Sequence, residues 1–178
     1  MHPVRHDHPV PTLYLIICAA GEAHRAAEMV RSARADGWSV HCIATPAAVE
    51  HFLDIPELEA VTGHEVRTAH RNPGDPPLPP ADAVIVAPAT YNTINKWAAG
   101  IGDTYVLIKL AELTGLGVPI VVVPYVNAVL AGNRVFHRSL AELRESGVRV
   151  LYEPHAPGGD SSGGFSWPAA LAAIRRRR

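Results

Sequence analysis

Four short, largely apolar stretches constrain this chain more than any other feature. They are LYLIICA (13–19), SVHCIA (39–44), AVIVA (83–87) and VPIVVV (118–123). A strand with one wet face alternates apolar and polar residues; these do not, so they read as strands covered on both faces. Segments of helical spacing lie between them. In 22–36, Ala26, Ala27, Met29, Val30 and Ala33 share one face, and Gly37 follows as a stop. The helix over 46–53 starts at Pro46 behind Thr45. Residues 92–99 and 103–114 read as helices separated by Gly100 and Gly102, and 133–146 as an amphipathic helix ending at Gly147. Leu58 to Val66 fits either a helix end or a short strand. The segment 71–82 has five prolines in twelve residues, which neither a helix nor a central strand accepts. VRVLY (148–152) is a last strand, and WPAALAAIRRRR a closing helix with a basic end.

Strands alternating with helices imply a parallel sheet with helices on both faces. The expected fold is therefore a single-domain α/β protein: a three-layer, Rossmann-like (flavodoxin-like), doubly wound parallel sheet. Residues 1–12 are expected to be flexible, 13–153 to form the domain, 154–166 to be a glycine- and serine-rich loop, and 167–178 to close the chain. With 178 residues and a formal net charge of −1, nothing draws the chain as a whole to nucleic acid or membrane. No apolar run nears the roughly 20 residues that span a bilayer, and MHPVRHDHPVPT has no apolar core of a secretion signal. Cys18 and Cys42 both fall inside apolar strands, which suits core residues in a reducing, cytoplasmic setting. The histidines show no metal-ligand spacing, so no metal is expected.

In such sheets ligands bind outside the carboxyl ends of the strands. Three of these ends are informative. After the first come Ala20, Gly21 and Glu22; Gly21 admits close backbone approach, and the next helix offers its first amides to an anion. After the second comes Thr45, either a helix cap or a phosphate-facing hydroxyl. After the third comes PATYNTIN, with Thr90, Asn92, Thr93 and Asn95 in six residues. One cap explains one of these poor helix formers, not four.

PATYNTINKWAAGIGDTYV closely resembles the flavin-binding segment of the homo-oligomeric flavin-containing cysteine decarboxylases. That family includes phosphopantothenoylcysteine decarboxylase and the peptidyl-cysteine decarboxylases of lanthipeptide biosynthesis. The resemblance rests on Pro88, Ala89, Thr90, Asn92, Thr93, Ile94, Lys96, Ala98, Gly100, Ile101 and Asp103. It extends to LYLIICAAGE, IATPAAVEHFL and VVVPYVNAVLAGNRVFHRSLAELRESGV, and around NTINK it is nearer the lanthipeptide branch. It implies FMN as cofactor. Its phosphate would lie near Ala20, Gly21, Glu22 and Thr45, and its ring against Ala87, Pro88, Ala89, Thr90, Asn92 and Thr93, with Asp103 supporting the segment. Relatives often have a serine where Glu22 stands, so Glu22 is expected to turn away. The resemblance also implies a homotrimer or trimer-built homododecamer with flavin sites between subunits, and a clamp over the substrate from 154–166.

The chemistry so implied is oxidative decarboxylation of a cysteine with a free carboxylate, here a peptide C-terminal cysteine, to an enethiol. It needs a carboxylate-binding group and a base near the thiol. Asn127 in PYVNAVLA stands at the place of the family's asparagine, although the flanking methionines and tryptophan are absent; it is also a plausible turn residue. The family's histidine would fall near Gly74, in a segment of altered length. His70 is four residues earlier and His64 earlier still, so His70 is the expected base, with Tyr125 as an alternative. Two rivals remain: a phosphopantothenoylcysteine decarboxylase-like enzyme on a small substrate, and a non-catalytic FMN-binding regulatory oligomer.

Overall fold

The computed structural model describes residues 10–153 and 165–175. Most of the expected flexible segment 1–12, most of the loop 154–166, and the end of the basic tail lie outside these residues.

Five parallel strands form one sheet in the order β2-β1-β3-β4-β5. They are β1 Thr12–Ile17, β2 Ser39–Ala44, β3 Ala83–Ala89, β4 Ile120–Pro124 and β5 Arg149–Val150. Every residue of β1, β3 and β4 is buried, the result of helices on both faces. One face carries α1 (Ala26–Ala35), α3 (Ile55–Thr62) and α8 (Trp167–Arg175) over Leu13, Leu15, Cys42 and Ile85. The other carries α4 (Tyr91–Ala98), α5 (Tyr105–Gly115) and α7 (Arg134–Glu145) over Ile16, Ile43, Val84, Val86 and Val122. Alternate strand residues feed each face, as a two-residue period demands. The expected fold class is the one found.

Side chains start the helices where the sequence places them. Thr45 accepts from the Ala48 amide (3.3 Å) ahead of α2 (Pro46–His51), and Asn133 from Val135 (2.9 Å) ahead of α7. Such caps are worth about 0.5–2 kcal/mol each.

Several boundaries differ, each for a tertiary reason. β1 stops at Ile17 rather than 19: the Cys18 amide still reaches the Pro88 carbonyl of the neighbouring strand (3.1 Å), but the chain then enters the turn that the Ala20 carbonyl closes. β3 runs two residues past 87: Ala89 pairs with Pro124 across a register shift, and its carbonyl accepts from the Tyr125 amide (2.9 Å). Residues 21–25 form a 3-10 turn before α1 begins. The ambiguous stretch 58–66 resolves into α3, ended by Gly63 at φ +74°, after which Arg67 bridges to Ile43 at the β2 edge. The expected strand 148–152 shrinks to Arg149–Val150 at the other edge. A short helix α6 (Ala128–Ala131) was not anticipated. The proline segment stays irregular but pinned, the Tyr14 hydroxyl donating to the Pro79 carbonyl (2.5 Å) and the Thr12 amide to the Asp82 carboxylate (2.7 Å).

Candidate functional site

The strand order reverses between β1 and β3. The chain leaves those two strands in opposite directions, which opens a crevice at their carboxyl ends. Residues 18–25 and 88–93 flank it.

On the β1 side, Ala20 is extended and its carbonyl accepts from the Ala23 amide (2.9 Å), closing the 3-10 turn. The exposed Gly21 lies under Tyr125: a Cβ at Gly21 would stand 3.1 Å from the tyrosine oxygen. Glycine here is a matter of close approach, not of backbone angle. Tyr125 continues edge-to-face into Phe165 (5.8 Å), and Phe165 into Trp167 (5.1 Å). Glu22 pairs with Arg25 (3.4 Å) and lines a cavity of about 540 Å³ between α1 and α8, so its charge is answered there. Thr45 sits half-buried at the next strand end; its hydroxyl is committed to capping α2 and its amide donates to Ile17 (3.0 Å).

On the β3 side, Ala87, Pro88 and Ala89 are buried in the strand, and the Ala87–Pro88 peptide is cis. Thr90 caps α4 by accepting from the Thr93 amide (3.4 Å), and its hydroxyl also donates to the Thr93 hydroxyl (3.1 Å). The Cys18 thiol donates to that same Thr93 oxygen (3.4 Å). Burial pushes the Cys18 thiol up, against a smaller pull from Thr93 and Thr90, so it stays a protonated donor. No sequence signal marks this bond, since Cys18 reads there as a core residue inside the strand 13–19. Asn92 is exposed at the first turn of α4. Asn95, one turn on, keeps a buried side-chain oxygen with no partner. Asp103 pairs with Lys96 (2.6 Å), tying the glycine segment back to α4. Trp97 is core, its ring N–H donating to the Thr114 hydroxyl (3.1 Å).

Asn127 follows β4 and caps α6, its side-chain oxygen accepting from the Leu130 amide (2.9 Å). That orientation leaves the exposed amide nitrogen as a donor. His70 lies elsewhere. Its ring meets Tyr105 edge-on at 5.0 Å, in a cavity of about 240 Å³ that the strand-end residues Thr90, Thr93 and Asn127 do not line. The structure thus gathers Gly21, Tyr125, Cys18, Pro88, Thr90 and Thr93 at one crevice through direct contacts, and gives His70 no contact with them. His64 stacks on His41 at 4.0 Å instead. Among the described residues, no three metal-binding side chains cluster, and no helix is long and apolar enough to cross a membrane.

Comparison with known proteins bears on this arrangement. The model of the Flavoprotein family matches residues 1–165. The coenzyme A biosynthesis bifunctional protein CoaBC of Thermococcus kodakarensis is 28% identical over 151 residues, covering 76% of this chain. The chain spans only 36% of that relative's length. Two solved structures superpose on nearly the whole chain. One is a PPC decarboxylase mutant complexed with pantothenoylaminoethenethiol (TM-score 0.74, 21% identity, 94% of this chain and 98% of that one). The other is the FMN-dependent cysteine decarboxylase SpaF (TM-score 0.73, 24% identity, 96% and 98%). At these identities the structural likeness is one of fold.

Proposed function

This chain belongs to the Flavoprotein family, and on that premise we propose that it is an FMN-dependent oxidative decarboxylase of a cysteine with a free carboxylate, at a peptide C-terminus. The observation that carries the reading is the β1/β3 crevice, flanked on one side by a glycine turn under Tyr125 and on the other by the Thr90–Thr93 hydroxyl pair.

The residues present fit FMN. Tyr125 stands over the side of Gly21 where a Cβ would project, and the exposed backbone of Gly21, with Ala20 and Glu22, would hold the phosphate. Thr45 adds a hydroxyl at the neighbouring strand end. Asn92 and Thr93 offer an amide and a hydroxyl to a polar ring edge, along the apolar wall of Ala87, Pro88 and Ala89, with Thr90 at its rim. The partnerless Asn95 oxygen, one turn on, awaits an N–H donor. Asp103 holds the segment through Lys96.

Bound FMN would supply the two-electron acceptor for a hydride equivalent from the cysteine Cβ. His70 takes the thiol proton, leaving a thioaldehyde on the substrate. The Cα–carboxylate bond then breaks, its electron pair flows toward sulfur, carbon dioxide departs, and the enethiolate takes the proton back from His70 to give the enethiol. The Asn127 amide N–H donates to the carboxylate and orients it. Within one chain His70 and Asn127 have no contact, so the proposal places them on different copies, in a homotrimer or trimer-built dodecamer.

A second reading, a small phosphopantothenoylcysteine-type substrate, is favoured by the 28% identity to CoaBC. Anaerobic titration of the FMN-loaded protein tests both. Bleaching of the yellow band by a cysteine-ended peptide supports the first. Bleaching by phosphopantothenoylcysteine alone supports the second. A protein that takes up no FMN contradicts both.

A further inference from the structure

The cavity that holds His70 is strongly cationic. Arg67, Arg71 and Lys109 line it together with Tyr14 and Tyr105, and no carboxylate does. Nearby acids are already engaged. Glu112 binds Lys109 from outside the lining (2.6 Å), and the Asp75 carboxylate accepts from the Asn72 amide (2.9 Å). The two guanidiniums are held by main-chain carbonyls of the proline segment: Arg71 donates to the Asp75 carbonyl (2.7 Å) and Arg67 to the Pro76 carbonyl (3.4 Å). Each such bond uses one N–H of a five-donor fork and leaves the rest directed elsewhere. The Tyr14 hydroxyl pins the wall by donating to Pro79 (2.5 Å), and burial pushes its pKa up to about 12, so it adds no negative charge. Lys109 lies 5.9 Å from the centre of the Tyr105 ring, opposite chemistry to an apolar ligand.

Among the described residues Arg67 and Arg71 have main-chain carbonyl partners and no carboxylate, so they repel one another unless an anion joins them, while Lys109 is paired with Glu112 and adds to the field. Arginine forks match phosphoryl oxygens two at a time. A volume of about 240 Å³ holds such a group with a short stem. We propose that this cavity is an anion site for a phosphoryl dianion, with Arg67 and Arg71 as its clamps and Lys109 as a third charge. The inference bears on the proposed function, whose base His70 lines the same cavity, but it stands on this geometry and its test reads phosphate binding, not turnover. The phosphoryl group could arrive free or on a larger molecule.

The test is calorimetric titration of the FMN-loaded protein at constant ionic strength with inorganic phosphate, O-phosphoserine and acetate. The FMN-loaded form keeps the cofactor's own phosphate out of the question. The expected result is one phosphate-class site, with acetate at least about tenfold weaker. The double variant Arg67→Gln/Arg71→Gln should bind phosphate at least about tenfold more weakly, one factor of ten being 1.4 kcal/mol, while its FMN absorbance is unchanged. Tighter binding of O-phosphoserine than of phosphate marks a substrate-borne group, and equal binding a free anion. Should the double variant fold poorly, Lys109→Gln, on an α5 surface position, is expected to weaken phosphate several-fold. Absence of phosphate binding, or affinity unchanged in these variants, overturns the proposal.

Discussion

The Cys18 thiol donates to the Thr93 hydroxyl across 3.4 Å, joining the residue after β1 to the first turn of α4. Thr93 also receives the Thr90 hydroxyl at 3.1 Å, so one buried oxygen links both lips of the crevice. Thr93→Val keeps the shape and removes that oxygen. It should cost about 1–3 kcal/mol of stability, because the buried Cys18 thiol and the half-buried Thr90 hydroxyl lose their acceptor. Urea unfolding measures the loss, and FMN retention on gel filtration should fall with it.

Gly21 and Tyr125 are set by space. Gly21→Ala brings a methyl group to 3.1 Å from the tyrosine oxygen. FMN affinity should drop at least about tenfold, or 1.4 kcal/mol. Adding Tyr125→Phe removes the nearest atom and leaves the next at 3.4 Å, an ordinary contact. The double variant should therefore recover most of the affinity, as fluorescence quenching of added FMN would report.

Asn127 is expected to have two separable duties. Aspartate caps a helix as well as asparagine does, so Asn127→Asp should leave the melting temperature within a degree or two. The change replaces the amide donor with an anion facing the substrate carboxylate. Turnover should fall by a factor of about 10²–10³, the usual cost of losing a preorganised donor. Equal losses of stability and activity would instead make Asn127 a structural residue only.

Acid should weaken the fold through His41. Its ring is buried against β1, with one nitrogen lacking a partner. Burial first, then the charges of His64 and Arg67, lower its pKa from 6.5 to about 4. The folded state thus holds the neutral ring, and the unfolded state takes up the proton sooner. The stabilising contribution is complete above pH 6.5 and lost as pH falls to about 4. Allowing for solvent screening, the loss is about 1–2 kcal/mol. His41→Gln should flatten the pH dependence of the urea midpoint over that window by this amount.

Much of the architecture was legible because burial leaves a mark on composition. LYLIICA, AVIVA and VPIVVV do not alternate, and each became a strand covered on both faces. Thr45 precedes a helix that it caps, and Gly37 and Gly147 take positive φ where helices end. What escaped was tertiary. Nothing local marks a four-residue helix after Asn127. Nothing local lets Pro88 continue a strand, since its place depends on the Cys18 amide meeting its carbonyl. The bonds from Tyr14 to Pro79 and from Thr12 to Asp82, with those from Arg67 and Arg71, fix where the proline segment runs. They set His70 beside Tyr105 and among cations, away from the crevice. The strand-end hydroxyls were visible as a cluster, but their shared acceptor at Thr93 required the fold.

The most direct test of the central claim is mass spectrometry of a cysteine-ended peptide after incubation with the FMN-loaded protein. The expected product has lost one carbon dioxide and two hydrogens, and the same peptide ending in serine is unchanged. A cysteine peptide recovered intact, from protein that is fully loaded and yellow, would contradict the assignment of this crevice to oxidative decarboxylation of peptides.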